Sequence, residues 1–118
     1  MTPSRPLVII GGGPAGMAAA IEAARAGLHP TLIDEAPRLG GQIYRQLPRD
    51  FQVREARALG KDFARGERLR TGFARIADRA EVLSGTSVLG IWEGRRVLWA
   101  GDGASGMIHA ERLVIATG

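Results

Sequence analysis

The 118-residue chain contains no cysteine. That absence excludes disulfide frameworks, thiolate metal sites, a cysteine nucleophile and a redox-active CxxC pair. Histidine is nearly as scarce, and His29 and His109 are too few for a histidine-rich metal cage. Aromatic residues make up only 5% of the chain, too few for a platform on which successive bases stack. No apolar run is long enough to span a bilayer. Leu7 to Ile21 is uncharged and follows Arg5, which superficially mimics a secretory signal. Gly11-Gly12-Gly13-Pro14 interrupts it and would break the apolar helix that export requires. The expectation is a cytoplasmic protein with no membrane span.

What the chain does contain is glycine, 17 residues of it, and arginine, which supplies 15 of the 16 basic side chains against 12 acidic ones. The net charge of +4 is unevenly placed, because ten basic and five acidic residues fall between Arg45 and Arg79. A basic stripe can attract nucleic acid. Here acids are interleaved and the aromatics of the stretch read as core anchors rather than base-stackers, so the stripe reads as a solvated helical face and no nucleic-acid partner is expected. The length suits one domain, residues 1–118, able to bury about two-thirds of the surface its unfolded chain exposes.

Leu7-Val8-Ile9-Ile10 is wholly apolar and largely β-branched, as in a strand covered on both faces of a parallel sheet. After a glycine turn, Ala15 to Ala26 has strongly helix-forming composition. Gly27 stands where a helix C-cap belongs, and Pro30 prevents continuation. Thr31-Leu32-Ile33 reads as a second buried strand. Strand, helix and strand together make a βαβ unit. Ala36 to Asp50 reads as a loop. From Phe51 onward, Val53, Ala56, Leu59 and Phe63, then Leu69, Phe73 and Ile76, recur at helical spacing. Gly60, Gly66 and Gly72 interrupt them, so two shorter helices with a break near Gly66 are expected. Ala80 to Ser84 reads as a third parallel strand. Thr86–Trp92, Arg95–Ala100 and Met107–Ala110, separated by Glu93-Gly94 and Gly101-Asp102-Gly103, read as an antiparallel meander. Leu113 to Ala116 then rejoins the main sheet. The expected class is therefore α/β: a Rossmann-like parallel sheet with a βαβ dinucleotide-binding unit and a small antiparallel β-meander.

The chemistry begins with Gly11-Gly12-Gly13-Pro14-Ala15-Gly16, a GxGxxG on Gly11, Gly13 and Gly16. An anionic diphosphate must approach backbone amides at a helix N-terminus, where the dipole is positive. Gly11 permits the tight turn out of the strand, Gly13 leaves no Cβ to obstruct the phosphates, and Gly16 lets helix and strand approach. Ala20 keeps the same helix face small. Asp34, eighteen residues beyond Gly16, ends the second strand, where a carboxylate accepts hydrogen bonds from both hydroxyls of an adenosine ribose. It would also repel a 2′-phosphate. Glu35 is adjacent but should point the other way, so Asp34 is favoured. Leu39-Gly40-Gly41-Gln42 and Val114-Ile115-Ala116-Thr117-Gly118 carry no compositional meaning of their own.

In that order and spacing, GGGPAGMAAA, the acid after the second strand, LGGQ and VIATG resemble the N-terminal FAD-binding part of the two-dinucleotide-binding-domain flavoproteins. That superfamily, the pyridine nucleotide-disulfide oxidoreductase type, includes thioredoxin and glutathione reductases. The run GGQIYRQ, Gly40 to Gln46, is similar to the FAD-binding subunits of opine oxidases, hydrogen cyanide synthase and D-hydroxyproline or proline dehydrogenase complexes. The resemblance implies FAD as cofactor. It assigns Gly11, Gly13, Pro14, Ala15 and Gly16 to the pyrophosphate and Asp34 to the ribose. Gly41 and Gln42 would border the ribityl and isoalloxazine side, and the backbone of Ser87 or Val88 would contact adenine. Thr117 and Gly118 would close over the cofactor.

It further implies an oxidoreductase acting on an amine or imino acid, partnered by a second oxidoreductase subunit. The family's cysteine pair, nicotinamide-binding glycine motif and distal GD motif are missing here, so the chain reads as the N-terminal fragment of a longer oxidoreductase. Taken by itself it should be inactive and hold FAD weakly or not at all. No residue is a convincing catalytic acid, base or nucleophile, and His29 and His109 read as structural. Two other readings stay open: an NAD-dependent dehydrogenase domain, which leaves LGGQ and VIATG unexplained, and a truncated, non-catalytic binding or assembly module.

Overall fold

The computed structural model describes residues 2–37 and 61–118. Strands β1 (Ser4–Arg5) and β2 (Leu7–Ile10) lead into helix α1 (Pro14–Arg25) and strand β3 (Pro30–Ile33). Helix α2 (Lys61–Ile76) passes through a 3₁₀ turn (Ala77–Arg79) to β4 (Glu81–Leu83). β5 (Ser87–Trp92), β6 (Arg96–Gly101) and β7 (Ala104–Ala110) form the meander, and β8 (Leu113–Ile115) follows.

One sheet runs β4–β3–β2–β8 with all neighbours parallel, and the other runs β1–β7–β6–β5. The second is antiparallel except where β1 joins β7, setting Ser4 beside His109 and Arg5 beside Ala110. The expected α/β architecture, its βαβ unit and its meander are all present. β1 is an addition that two residues between prolines do not announce.

Every residue of β2 and β3 is buried, because both faces of the parallel sheet are covered. Period-two alternation divides the strand side chains between two cores. Leu7, Ile9 and Leu32 point to the helices and meet Met17, Ala20, Ile21, Ala24, Phe73 and Ile76. Val8, Ile10 and Ile33 point the other way, to Val97, Ile108 and Ala110 of the meander. Three layers result: helices, parallel sheet, meander.

α1 ends as its sequence requires. Gly27 adopts φ +89°, its N–H bonds the Ala24 carbonyl, and the Leu28 N–H reaches back to Ala23. That pair of bonds is a Schellman closure, which needs a left-handed residue and therefore favours glycine. The Asp102-Gly103 turn is similarly explained, with φ of +50° and +74° joining β6 to β7, the two-residue hairpin geometry that Asp-Gly prefers.

The expected break near Gly66 is not found, since α2 runs unbroken through Gly66 and Gly72. Gly66 is buried and shares a stripe with Leu69, Phe73 and Ile76. A Cβ on Gly72 would stand 3.2 Å from Ile21 Cδ1. Gly72 lets the two helices approach closely, and packing of this buried face outweighs a cost of about 1 kcal/mol per glycine in helix propensity. The start of the expected helical region, from Phe51, lies outside the described residues. Along α2, Arg65, Arg68 and Arg75 are exposed and Arg70 is ion-paired with Glu67, as a solvated helical face requires. Among the described residues no helix is long and apolar enough to cross a membrane.

Candidate functional site

The carboxyl ends of the parallel strands converge on one rim. β2 connects to β3 on one side and lies against β8 on the other, so the strand order reverses at β2. In open α/β sheets such a reversal opens a crevice beyond the strand ends. Gly11 occupies that point. Its N–H donates to the Ile33 carbonyl at 2.8 Å, while the Ala116 N–H donates to the Ile10 carbonyl at 2.7 Å.

The glycines are fixed by contact. Gly11 has φ +112°, and a Cβ there would lie 2.3 Å from the Ala116 carbonyl oxygen. A Cβ on Gly16 would lie 1.7 Å from the Gly11 carbonyl oxygen. Gly16 thus seats the first turn of α1 directly on the β2–α1 turn, and β8 closes on it from the far side. Ala116 has no distinguishing signal in the sequence, yet its carbonyl defines the space at Gly11. A strand-ending Ala-Thr-Gly gives no sign of that role until β8 is known to adjoin β2.

At the start of α1, Gly13 is the N-cap residue, with no side chain capping the helix, and Pro14 takes the first position. The first amide used inside the helix is that of Met17, which donates to the Gly13 carbonyl at 2.9 Å. The Ala15 and Gly16 amides have no acceptor within the helix, and no acid stands in the first turn. Bare amides at the positive end of a helix form an anion cradle. Gly13 and Pro14 are half-buried there and Ala15 is exposed.

Asp34 follows β3 and stands one strand across from Gly11, through the Ile10–Ile33 register. It is half-buried, and its carboxylate has no hydrogen-bond or ion partner among the described residues. Glu35 is exposed. Beyond Asp34 comes the β4–β5 turn. Ser87 and Val88 open β5, paired with Ala100 and Trp99, and the Val88 side chain belongs to the meander core. Thr86, equally silent in the sequence, is buried and donates its N–H to the Asp34 carbonyl at 2.9 Å. Thr117 and Gly118 are exposed beyond Ala116. The structure thus brings Gly11, Gly13–Gly16, Asp34, the β4–β5 turn and Thr117–Gly118 to one rim. Gly41 and Gln42 lie outside the described residues.

His29 and His109 stand away from this rim. His109 Nδ1 lies 3.2 Å from Ser4 Oγ on the β1–β7 pair, and His29 precedes β3 at the opposite end of the sheet. Near His29, Glu81 accepts from Arg5 Nε at 2.8 Å and from Thr31 Oγ1 at 2.9 Å. The Arg5 hydrogen bond holds the Glu81 carboxyl below its usual range and raises Arg5 in turn. No cluster of three or more His, Asp or Glu able to hold a metal occurs among the described residues.

The family model for pyridine nucleotide-disulphide oxidoreductases matches residues 5–118. The chain belongs to that family. It is 39% identical over 118 residues to an opine oxidase subunit from Agrobacterium tumefaciens (strain Ach5), covering 95% of this chain and 23% of that one. It is 40% identical over 120 residues to the HcnB subunit of hydrogen cyanide synthase from Pseudomonas protegens, covering 94% of this chain and 24% of the relative. Among solved structures, L-proline dehydrogenase from P. horikoshii superposes with a TM-score of 0.73 at 28% identity, over 98% of this chain and 22% of that one. The chain therefore spans about a quarter of the length of the curated relatives it matches. The family is one of oxidoreductases with a nucleotide-binding fold, and the curated relatives are subunits by name. The disulfide chemistry in the family's name has no counterpart in these 118 residues, which hold no cysteine.

Proposed function

We propose that this chain is the FAD-binding segment of an FAD-dependent oxidoreductase. The observation that carries the reading is a helix start at the reversal of strand order that no side chain among the described residues caps, with a carboxylate one strand away that has no partner among those residues. The cradle suits a diphosphate, because the Ala15 and Gly16 amides have no acceptor within the helix and the close packing that Gly11 and Gly16 permit holds them at the end of β2. Ala15 and Gly16 amides would donate to the pyrophosphate beside Gly11, Gly13 and Pro14. Asp34 would accept from both ribose hydroxyls, with Glu35 exposed beside it. The Ser87 or Val88 backbone would flank adenine. Gly41 and Gln42 would border the ribityl and isoalloxazine side, and Thr117 and Gly118 would close the rim.

Bound FAD supplies the redox chemistry, accepting a hydride or an electron pair. The protein's share is to orient the cofactor and to screen its phosphates. The names of the relatives and of the proline dehydrogenase support an amine or imino-acid substrate for the whole protein. They also support partnership with a second oxidoreductase subunit, in a division where these residues form one FAD-binding domain. A cytoplasmic setting accords with the interrupted apolar stretch at the N-terminus. Alone, the 118 residues supply only part of a flavin site and should lack activity.

The test is to purify the longest natural form, record its flavin absorbance, and compare FAD with NAD by thermal shift. Retained flavin with stabilisation by FAD is the expected result. A colourless protein that takes up no FAD refutes the proposal, and stabilisation by NAD alone replaces it with a dehydrogenase domain.

A further inference from the structure

Among the described residues, Asp34 is positioned through its backbone. Its N–H donates to the Leu83 carbonyl at 3.0 Å, and its carbonyl accepts from the Thr86 N–H at 2.9 Å. A third bond, from the Gly85 N–H to the Ala36 carbonyl at 3.0 Å, ties the β4–β5 turn to the segment after β3. The orientation of the acid therefore depends on that turn.

The turn is fixed from within by one buried hydroxyl. Thr86 is 7% exposed, and its Oγ1 donates to the Ser84 carbonyl at 3.0 Å. It is also backed from the meander. A Cβ on Gly101 would stand 2.7 Å from the Gly85 carbonyl oxygen and 2.9 Å from Thr86 Oγ1. Gly101 does not have a positive φ, so close approach of the turn, not backbone conformation, is what demands glycine there.

We propose that Thr86 and Gly101 form a buttress that positions Asp34, making the meander a determinant of adenosine affinity. The inference rests on the reading of Asp34 as the ribose-binding acid and names two positioning residues behind it. Neither touches the ligand. Valine at position 86 keeps the shape of threonine but leaves the Ser84 carbonyl without its donor. Serine keeps the donor. Alanine at position 101 pushes the turn, and with it the Asp34 carbonyl.

The experiment is calorimetric titration of ADP and FAD into the longest natural form of the wild type and of Thr86→Val, Thr86→Ser and Gly101→Ala. It is run well below the melting temperature of each, with folding checked by circular dichroism. Thr86→Val and Gly101→Ala should each weaken ADP and FAD by about three- to tenfold, the worth of one net hydrogen bond. Thr86→Ser should stay within about twofold of wild type, on the same reasoning. A role confined to stability lowers Tm and leaves affinity untouched, so wild-type affinity in either weakened variant overturns the buttress. If Thr86→Val does not fold, the comparison of Gly101→Ala with Thr86→Ser decides. A wild type that binds neither ADP nor FAD overturns the underlying reading, whereas equal binding by all four overturns only the buttress.

Discussion

Substituting Gly16 by alanine separates a contact-determined glycine from a propensity-determined one. In an exposed helix the change stabilises by about 0.5–1 kcal/mol, because glycine loses more backbone entropy on folding. At this position the new Cβ would lie 1.7 Å from the Gly11 carbonyl oxygen and 2.9 Å from its carbon. Ordinary contact begins at 3.4 Å, so α1 and the β2–α1 turn must part by roughly 1.7 Å. Neither side yields easily. The Gly11 N–H is bonded to Ile33, Ala116 closes on Gly11 from β8, and Met17 and Ala20 are buried one turn along. Overpacking of this kind costs about 1–3 kcal/mol and more against fixed backbone. Net of the propensity gain, destabilisation of about 2 kcal/mol is expected, a drop of roughly 8 °C in Tm for a chain of this size. Urea denaturation should show a lower midpoint at unchanged slope, the signature of altered stability without altered surface exposure. FAD affinity should fall as well, since the displaced amides are those of the cradle. Gly103→Ala is the control. It has φ +74° with nothing within 4 Å, so it should cost only about 1 kcal/mol of backbone strain and leave affinity intact. A Gly16→Ala protein as stable as wild type, or more so, would refute the contact argument.

Asp34→Asn should weaken FAD about tenfold or more, as expected for loss of a charged acceptor, as read by titration calorimetry. The ligand-free Tm should barely move, because among the described residues the carboxylate has no partner to lose. An equal loss in stability would show a structural acid instead. Glu81 behaves in the opposite way. Its folded pKa lies below the unfolded value of about 4.5, chiefly through the Arg5 hydrogen bond. Its contribution is therefore complete above that unfolded value and disappears as pH falls through the folded one. Arg5 and Glu81 are 31% and 34% exposed, which limits the effect to about 1 kcal/mol or less. Across the acid limb the wild type should lose more stability than Glu81→Gln, measured by urea midpoints at successive pH values. Parallel losses would remove the pair from the account.

The elements whose burial is complete were the most legible in the sequence. Leu7–Ile10 and Thr31–Ile33 read as strands covered on both faces, and the structure buries both throughout. The Gly27 closure and the Asp102-Gly103 hairpin followed from residues that tolerate positive φ. Gly66 and Gly72 misled because a glycine that breaks a helix and one that admits a neighbouring helix look alike until the neighbour is placed. β1 was invisible for a related reason: its pairing with β7 joins Ser4 to His109, 105 residues away. In the candidate site, Gly11 and Gly16 were legible from their spacing between strand and helix, and both are held by close backbone contacts, while Asp34 was legible as the residue that ends the second buried strand. Thr86, Gly101 and Ala116 were not, because they act through backbone contacts between strands distant in sequence, and no spacing rule encodes such contacts.

The two ends of the parallel sheet differ in how far their polar groups are satisfied. At the amino ends Arg5, Thr31 and Glu81 satisfy one another, tying β1 of the meander layer to β3 and β4. Charge there is neutralised internally, so a ligand would have to displace a formed ion pair. At the carboxyl ends the reverse holds. The helix start has no capping side chain, and the Asp34 carboxylate has no partner among the described residues. No fully buried side-chain donor or acceptor among those residues lacks a partner, so the unpaired Asp34 carboxylate is reachable from solvent. Open donors at the helix start, with an open acid on the strand next to the turn that leads into it, match a ligand that joins an anionic linker to a hydroxyl-bearing sugar. A free phosphate would use only the donors, and a neutral nucleoside only the acid. The dinucleotide reading is the one that uses both, so Asp34→Asn and Gly16→Ala should each weaken FAD while only the second weakens inorganic pyrophosphate. Equal weakening of pyrophosphate by both would mean that Asp34 acts on the cradle itself rather than on the sugar.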